Sequence, residues 1–161
     1  MALLTSHIHG PSGNPSGAQG GIIQIKQTIF KTAQDFSTTN SYFDTGLTAS
    51  ITPTSSGNHV LIHFSFNGGP NSPAQMCFRV LRGSTSLDVG VSGGGVQAFI
   101  AGTQDGSRPA YPSAFLLDTG IATTSATTYK LQLNSTSATH MNKRDSDYRA
   151  CSVMTLMEVS A

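Results

Sequence analysis

Apolar and polar residues alternate along most of the chain. The clearest run is Val60, Ile62, Phe64 and Phe66, which ends at the Asn-Gly-Gly-Pro turn signal of residues 67–70. Because successive side chains of a strand point to opposite sides of a sheet, each such run predicts a strand with one buried side. The other runs are Ile23, Ile25 and Ile29; Phe43, Leu47, Ala49 and Ile51; Met76, Phe78 and Val80; Val96, Ala98 and Ile100; Phe115 and Leu117; Tyr129, Leu131 and Leu133; and Cys151, Val153, Met157 and Val159.

These runs predict an all-β fold of about eight strands over residues 22–161. No window shows the sustained 3.6-residue period of an amphipathic helix. Strands of this kind, separated by Gly, Pro, Ser and Asn turns, favour an antiparallel β-sandwich of jelly-roll-like type. The last run is strongly apolar, so we expect the C-terminal strand to be held within a sheet.

A second apolar set lies on the opposite parity or outside the runs. A small monomer rarely exposes this much apolar surface, so we expect burial between copies of the chain. Phe30, Leu61 and Phe99 are the interface candidates. The full set is Phe30, Phe36, Tyr42, Leu61, Leu81, Phe99, Leu116, Met154 and Leu156.

The chain is poor in charge, with 11% charged residues and a formal net charge of +1. Typical soluble domains carry about 25% charged residues. No concentrated basic face is visible, so we expect no nucleic-acid partner. There is no apolar stretch of about 18 residues and no signal-peptide pattern. We therefore expect that the protein does not insert into a membrane and that it is assembled in the cytoplasm. Cys77 and Cys151 are predicted to be small buried hydrophobes, and their pairing is left open.

Residues 1–21 differ from the rest of the chain and are predicted to be a flexible N-terminal arm. Gly and Pro are frequent from residue 10 onward, and no core can form from such a segment. Two interpretations stay open: an extended arm that becomes ordered on a partner, or a disordered tail. In the first, His7, His9, Pro11 and Pro15 contact the partner.

Several strand and turn segments resemble a family of small β-domains from tailed bacteriophages and prophages, notably those of cyanobacteria and marine bacteria. The resemblance covers roughly residues 22–161. It implies a trimeric, jelly-roll-like virion protein of a kind found in tail-fibre tips, head fibres and capsid decoration. The segments are Ile22 to Thr28 (IIQIKQT), Thr45 to Thr54 (TGLTASITPT), Phe78 to Thr85 (FRVLRGST), Leu117-Asp118, Thr123 to Leu131 (TTSATTYKL) and Val153 to Val159 (VMTLMEV).

The resemblance leads us to expect a structural virion protein that is assembled in the host cytoplasm. A capsid decoration or cement protein is favoured, with the arm anchored on the major capsid protein, because no fibre shaft precedes the domain. The alternative is the receptor-binding tip or adaptor domain of a tail fibre, which binds a host surface glycan. Trp, the usual sugar-stacking residue, is absent, and the candidate sugar contacts are Tyr111, Tyr148, Asn67, Asn71 and Asn142.

The spacing of His7 and His9 is typical of metal ligands. Because alternate residues of an extended chain point the same way, three copies around an axis could present six imidazoles to an iron or similar ion. Such pairs also occur by chance in flexible tails, so we predict no metal and no cofactor.

The sequence does not indicate an enzyme. His59 and His63 are predicted to be surface histidines on a strand. Residues 90–94 (GVSGG) formally match a nucleophile elbow, but a β-like run follows where the elbow requires a helix. Asp118 is grouped with the solvated turn-forming aspartates. We therefore predict no catalytic residues.

Overall fold

The computed structural model describes residues 21–87, 90, 96–104, 111–144 and 148–160. The predicted arm, including His7, His9, Pro11 and Pro15, lies outside the described residues. Within the described part, all regular structure is β-strand, and no helix is long and apolar enough to cross a membrane. The strands are β1 (Ile22–Phe30), β2 (Gln34–Phe36), β3 (Phe43–Ile51), β4 (His59–Ser65), β5 (Gly68–Pro70), β6 (Ala74–Arg82), β7 (Thr85–Leu87), β8 (Ile100–Gln104), β9 (Ser113–Asp118), β10 (Thr127–Ser135), β11 (Thr139–Met141), β12 (Lys143–Arg144), β13 (Tyr148–Arg149) and β14 (Ser152–Val159).

Two antiparallel sheets form the body of the molecule. The four-stranded sheet has the order β1-β14-β4-β9, and the five-stranded sheet has the order β3-β10-β6-β7 with β8 also paired to β6. Buried residues of both sheets form one hydrophobic cluster, in which the rings of Phe64 and Phe78 lie 6.5 Å apart. The prediction of an all-β, antiparallel sandwich is confirmed, whereas the jelly-roll-like winding remains an interpretation of this strand order.

The described residues form fourteen strands, more than the predicted eight or so. The additional strands are mostly two or three residues long and occur in loops and in two small sheets, β2-β11-β5 and β12-β13. Gly68 shows how closely the chains approach in the first of these, because a Cβ there would lie 2.2 Å from the carbonyl oxygen of His140. A strand of three residues is too short to display a period of two, so the pattern could not reveal it.

The final strand, β14, lies between β1 and β4 in the interior of its sheet, as we expected. Its buried side is the reverse of the predicted one. Met154 and Leu156, which we assigned to the second apolar set, have no exposed surface, whereas Cys151 is exposed. Cys77 is buried, as predicted.

The same reversal occurs in β1 and β9. Ile25 and Phe115 were predicted to face the core, yet 58% and 60% of their surfaces are exposed, while Leu116 is buried. In β1 the alternation indicates the wrong side, because the polar Gln24 lies on the inner side and hydrogen-bonds to the buried Glu158. In β9 both parities are apolar, so its own pattern cannot select a side. Register decides it: Leu116 lies opposite Ile62 of β4, whose buried parity is unambiguous. Leu81, also assigned to the second set, is buried as well.

Candidate protein interaction face

The side of the four-stranded sheet that faces away from the core is called the outer apolar face. Its central row crosses all four strands in register, from Ile25 through Met157 and Leu61 to Leu117. Ile25 and Leu117, on the two edge strands, are 58% and 43% exposed, and the two inner residues are half-buried. Four strands thus place four large apolar side chains side by side in solvent.

The neighbouring rows of the outer apolar face are also uncharged. One row contains Gln27, Thr155, His63 and Phe115, and another contains Ile29, Val153, Ser65 and Ser113. At the end of the sheet, Val159 lies opposite both Ile22 and His59, and a β-bulge follows Ile22. None of the residues in these rows is Asp, Glu, Lys or Arg.

Several polar groups on the outer apolar face are hydrogen-bonded to one another. The Nε2 atom of His63 lies 2.9 Å from the hydroxyl of Ser113, and its ring stacks on Phe115 with centroids 4.4 Å apart. The side-chain amide of Gln27 donates to the hydroxyl of Thr155 at 3.0 Å. Because polar groups with partners cost much less to bury than groups without them, these two pairs add little to the cost of covering the face with another protein surface.

The outer side of the five-stranded sheet has the opposite character. Asp44 accepts hydrogen bonds from the side chains of Gln132 at 2.6 Å and Lys130 at 2.9 Å. Both bonds lower the pKa of its carboxyl, and the bond from Gln132 has the larger effect. Arg79 donates to the side-chain oxygen of Gln132 and lies 3.8 Å from the centre of the Tyr42 ring. This face is a connected polar surface suited to water.

Of the three predicted interface residues, the structure places one on the outer apolar face. Leu61 lies in its central row. Phe30 and Phe99 are half-buried and pack against the hydrophobic core. Ile25, Met157 and Leu117 belong to the face but were assigned to the core, because each lies in an alternating apolar run.

Two carboxylates lie buried on the inner side of the four-stranded sheet. Asp118 was predicted to be a solvated turn residue, yet it is only 4% exposed. It contacts Arg82 at 2.6 Å and accepts a hydrogen bond from the hydroxyl of Tyr129 at 2.7 Å. Burial and this hydrogen bond raise the pKa of Tyr129, so the phenol stays neutral. Asp118 therefore links the two sheets from the inside.

Glu158 has no exposed surface, and its hydrogen-bond donors within the described residues are all neutral. Its carboxylate accepts hydrogen bonds from Asn58 at 2.5 Å, from Gln24 at 2.6 Å, and from the backbone and hydroxyl of Thr54 at 2.7 and 2.8 Å. Burial alone raises its pKa, but these hydrogen bonds outweigh burial and lower the pKa of Glu158 to about 2. The carboxylate holds the loop before β4 against β1 and β14.

Of the three amides proposed as sugar contacts, Asn142 has a structural role. Asn142 is fully buried in the left-handed conformation, with φ of 57°, and its side chain donates to the backbone carbonyls of Phe30 and Thr32. Asn67 is half-buried, and Asn71 hydrogen-bonds to the ring of His140. The side chain of Tyr148 lies outside the described part.

Tyr111 remains a candidate sugar contact, because 63% of its surface is exposed. It borders a pocket of about 300 Å³ between β6, β8 and the start of β9. The pocket is lined by Met76, Phe78, Ile100, Ala101, Gly102, Gln104, Tyr111 and Pro112.

No three His, Cys, Asp or Glu side chains among the residues that the structure describes are grouped as metal ligands would be. The pair of His63 and Ser113 is on the outer side of its sheet, whereas Asp118 and Glu158 are buried on the inner side. Comparison with models of known protein families and with curated proteins finds no match for this chain.

Proposed function

We propose that this protein is a structural subunit of a tailed-bacteriophage virion and that it acts as a homotrimer through protein–protein contacts. The observation that supports this proposal is the outer apolar face, where Ile25, Met157, Leu61 and Leu117 form one row. Monomeric proteins rarely expose contiguous apolar patches of this kind, and such patches mark interaction sites.

The composition agrees with an assembled particle. With 11% charged residues, the surface depends on hydroxyl, amide and backbone groups, which are less costly to bury against neighbouring subunits than ionised side chains. The resemblance of residues 22–161 to phage β-domains supports the virion as the location. We assign no catalytic role, cofactor or nucleic-acid partner.

Within the virion, we propose decoration or cementing of the capsid. Residues 1–21 would act as the anchor on the major capsid protein. Ordering such a segment costs about 1–2 kcal/mol per residue, a cost that three arms bound together in one trimer can offset through multivalency.

Copy counting by quantitative mass spectrometry of purified virions tests the location. Hundreds of copies per particle are expected for a capsid decoration protein. A handful of trimers per particle would contradict the capsid assignment and indicate the tail.

Deleting residues 2–21 tests the anchor. The shortened protein is expected to remain trimeric but to lose binding to particles, as measured by co-sedimentation with capsids that lack the protein. Unchanged occupancy of the particle would show that the arm is not the anchor.

The second candidate function is glycan binding at a tail-fibre tip, and the pocket beside Tyr111 favours it. Phenol rings stack on sugars, and the Gln104 amide in the same pocket can hydrogen-bond to hydroxyl groups. If this function is correct, Tyr111→Ala abolishes binding on an array of bacterial surface glycans, whereas Thr103→Ala, in β8 but outside the pocket lining, does not. Absence of binding by the wild-type trimer would contradict this candidate.

A further inference from the structure

We infer that copies of this chain form a closed ring in which the β1 side of one outer apolar face packs against the β9 side of the next. This inference rests on the proposed function, because it identifies the partner that covers the face. The occupant is therefore another copy of the same chain.

The charge pattern favours such a partner. The rows of the outer apolar face contain no Asp, Glu, Lys or Arg. A complementary partner must therefore offer an equally neutral, apolar surface, since a charge buried without a partner is costly. Of the two outer sheet surfaces of this protein, the one carrying Asp44, Arg79 and Lys130 does not meet this condition. The outer apolar face of another copy does.

The size of the face constrains self-assembly. Four strands spaced about 4.8 Å apart, each with about seven residues rising about 3.3 Å, span roughly 400 Å² in projection. In a ring the face is divided between two neighbours, so each contact uses about half of this area, less than the roughly 800 Å² that each partner contributes to a standard interface. The ring therefore depends on closure, in which each copy is held by two neighbours at once.

The exposure pattern indicates how the copies meet. The most exposed apolar residues lie on the two edge strands: Ile25 and Ile29 on β1, at 58% and 50%, and Phe115 and Leu117 on β9, at 60% and 43%. A ring with rotational symmetry joins different parts of the same surface, so every β1 edge meets a β9 edge and neither remains in solvent. The aliphatic edge of one copy then covers the aromatic edge of its neighbour.

Charge introduction and charge pairing test this arrangement in the full-length protein. Ile25→Lys and Leu117→Glu change exposed side chains, so each variant should keep the fold, as checked by circular dichroism and thermal unfolding. Each is expected to sediment as a monomer at micromolar concentration, where the wild type is oligomeric. The double variant places Lys and Glu on facing edges and is expected to recover the oligomer at low salt.

The matched controls lie on the other sheet. Ser50→Lys and Thr48→Glu introduce the same charges at exposed positions of β3 and should leave the oligomer intact. Folded single variants that remain oligomeric, or a double variant no more associated than the single ones, would overturn the inference.

The outcome is separable from that of the proposed function. A wild-type monomer in solution that still occupies virions in many copies would overturn the ring but leave the virion role intact. An oligomer that the single variants dissociate, from a protein missing from virions, would support the ring and refute the virion role.

Discussion

The outer surfaces of the two main sheets differ sharply, although both sheets belong to the same sandwich. On the five-stranded sheet, Asp44, Lys130, Gln132 and Arg79 form a continuous polar network. On the four-stranded sheet, the corresponding surface is a neutral row that contains Ile25 and Leu117, among others. The charged and hydrogen-bonded side chains of the first surface suit it to contact with water, and the neutral apolar side chains of the second suit it to contact with protein.

The inner side of the four-stranded sheet sharpens this contrast. Glu158, Val60 and Asp118 form one inner row, so this sheet carries two buried carboxylates inside and none in its outer rows. Each buried carboxylate has several hydrogen-bond donors in place. The placement of charge therefore follows the available partners rather than the distance from solvent.

The largest expected effect comes from placing a charge at the centre of the outer apolar face. Leu61→Glu should weaken self-association by about 100-fold or more, because the carboxylate would be buried without a partner. Phe30→Ala and Phe99→Ala should instead lower the stability of the protomer, because both rings pack against the core. Sedimentation equilibrium measures association, and urea unfolding measures stability. Unchanged association of a folded Leu61→Glu variant would contradict the expectation.

The next effect concerns the buried ion pair between the sheets. Asp118→Ala leaves Arg82 and the Tyr129 hydroxyl without their acceptor and should lower the free energy of unfolding by about 3 kcal/mol, the low end for such pairs, because Arg82 is partly exposed. Asp35→Ala removes an exposed ion pair with Lys143 and should cost less than about 1 kcal/mol. Equal losses in urea unfolding would show that burial does not distinguish the two pairs.

The sequence predicted the fold class and the buried sides of β3, β4 and β10, because each of these strands is apolar on one parity and mostly polar on the other. In β10, Lys130 and Gln132 mark the solvent side unambiguously. The same reasoning failed for β9 and β14, where both parities are apolar and only pairing with β4 selects the side. It also failed for β1, whose polar Gln24 faces inward to Glu158. The buried role of Asp118 was also hidden, because its partners Arg82 and Tyr129 are distant in sequence. The interface role of the outer face and the anchoring role of the arm stay predictions.

The buried Glu158 should make stability fall in acid. Its pKa is about 2 in the folded protein and 4.5 ordinarily, so its contribution is complete above pH 4.5 and is lost as the pH falls toward 2. Glu158→Gln should lower the free energy of unfolding by about 2 kcal/mol at neutral pH, because charge-assisted hydrogen bonds are lost. Urea unfolding from pH 2 to 7 should show a smaller acid-dependent loss in this variant than in the wild type. Parallel pH profiles would contradict this role.

The smallest expected effect is on the polar outer surface. Asp44→Asn should lower the free energy of unfolding by about 0.5 kcal/mol, because the carboxylate is exposed and its ion pair with Lys130 is screened by salt. The lowered pKa of Asp44 means that this contribution is present at neutral pH and is lost in acid. Thermal unfolding at low and high salt measures it, and self-association should not change. Dissociation of the oligomer by Asp44→Asn would indicate that the contact between copies lies on the five-stranded sheet, which contradicts the account.

The oxidation rate of Met157 by hydrogen peroxide tests most directly whether the outer apolar face is covered by another copy. Met157 lies in the central row of this face and is half-buried in the protomer, whereas Met154, on the inner side of the same strand, has no exposed surface and serves as the internal reference. Peptide mass spectrometry is expected to show Met157 oxidising about tenfold or more slowly in the wild-type assembly than in the dissociated Ile25→Lys variant, with Met154 slow in both. Equal rates for Met157 in the two proteins would contradict the account, because the outer apolar face would then be open to solvent in the wild type.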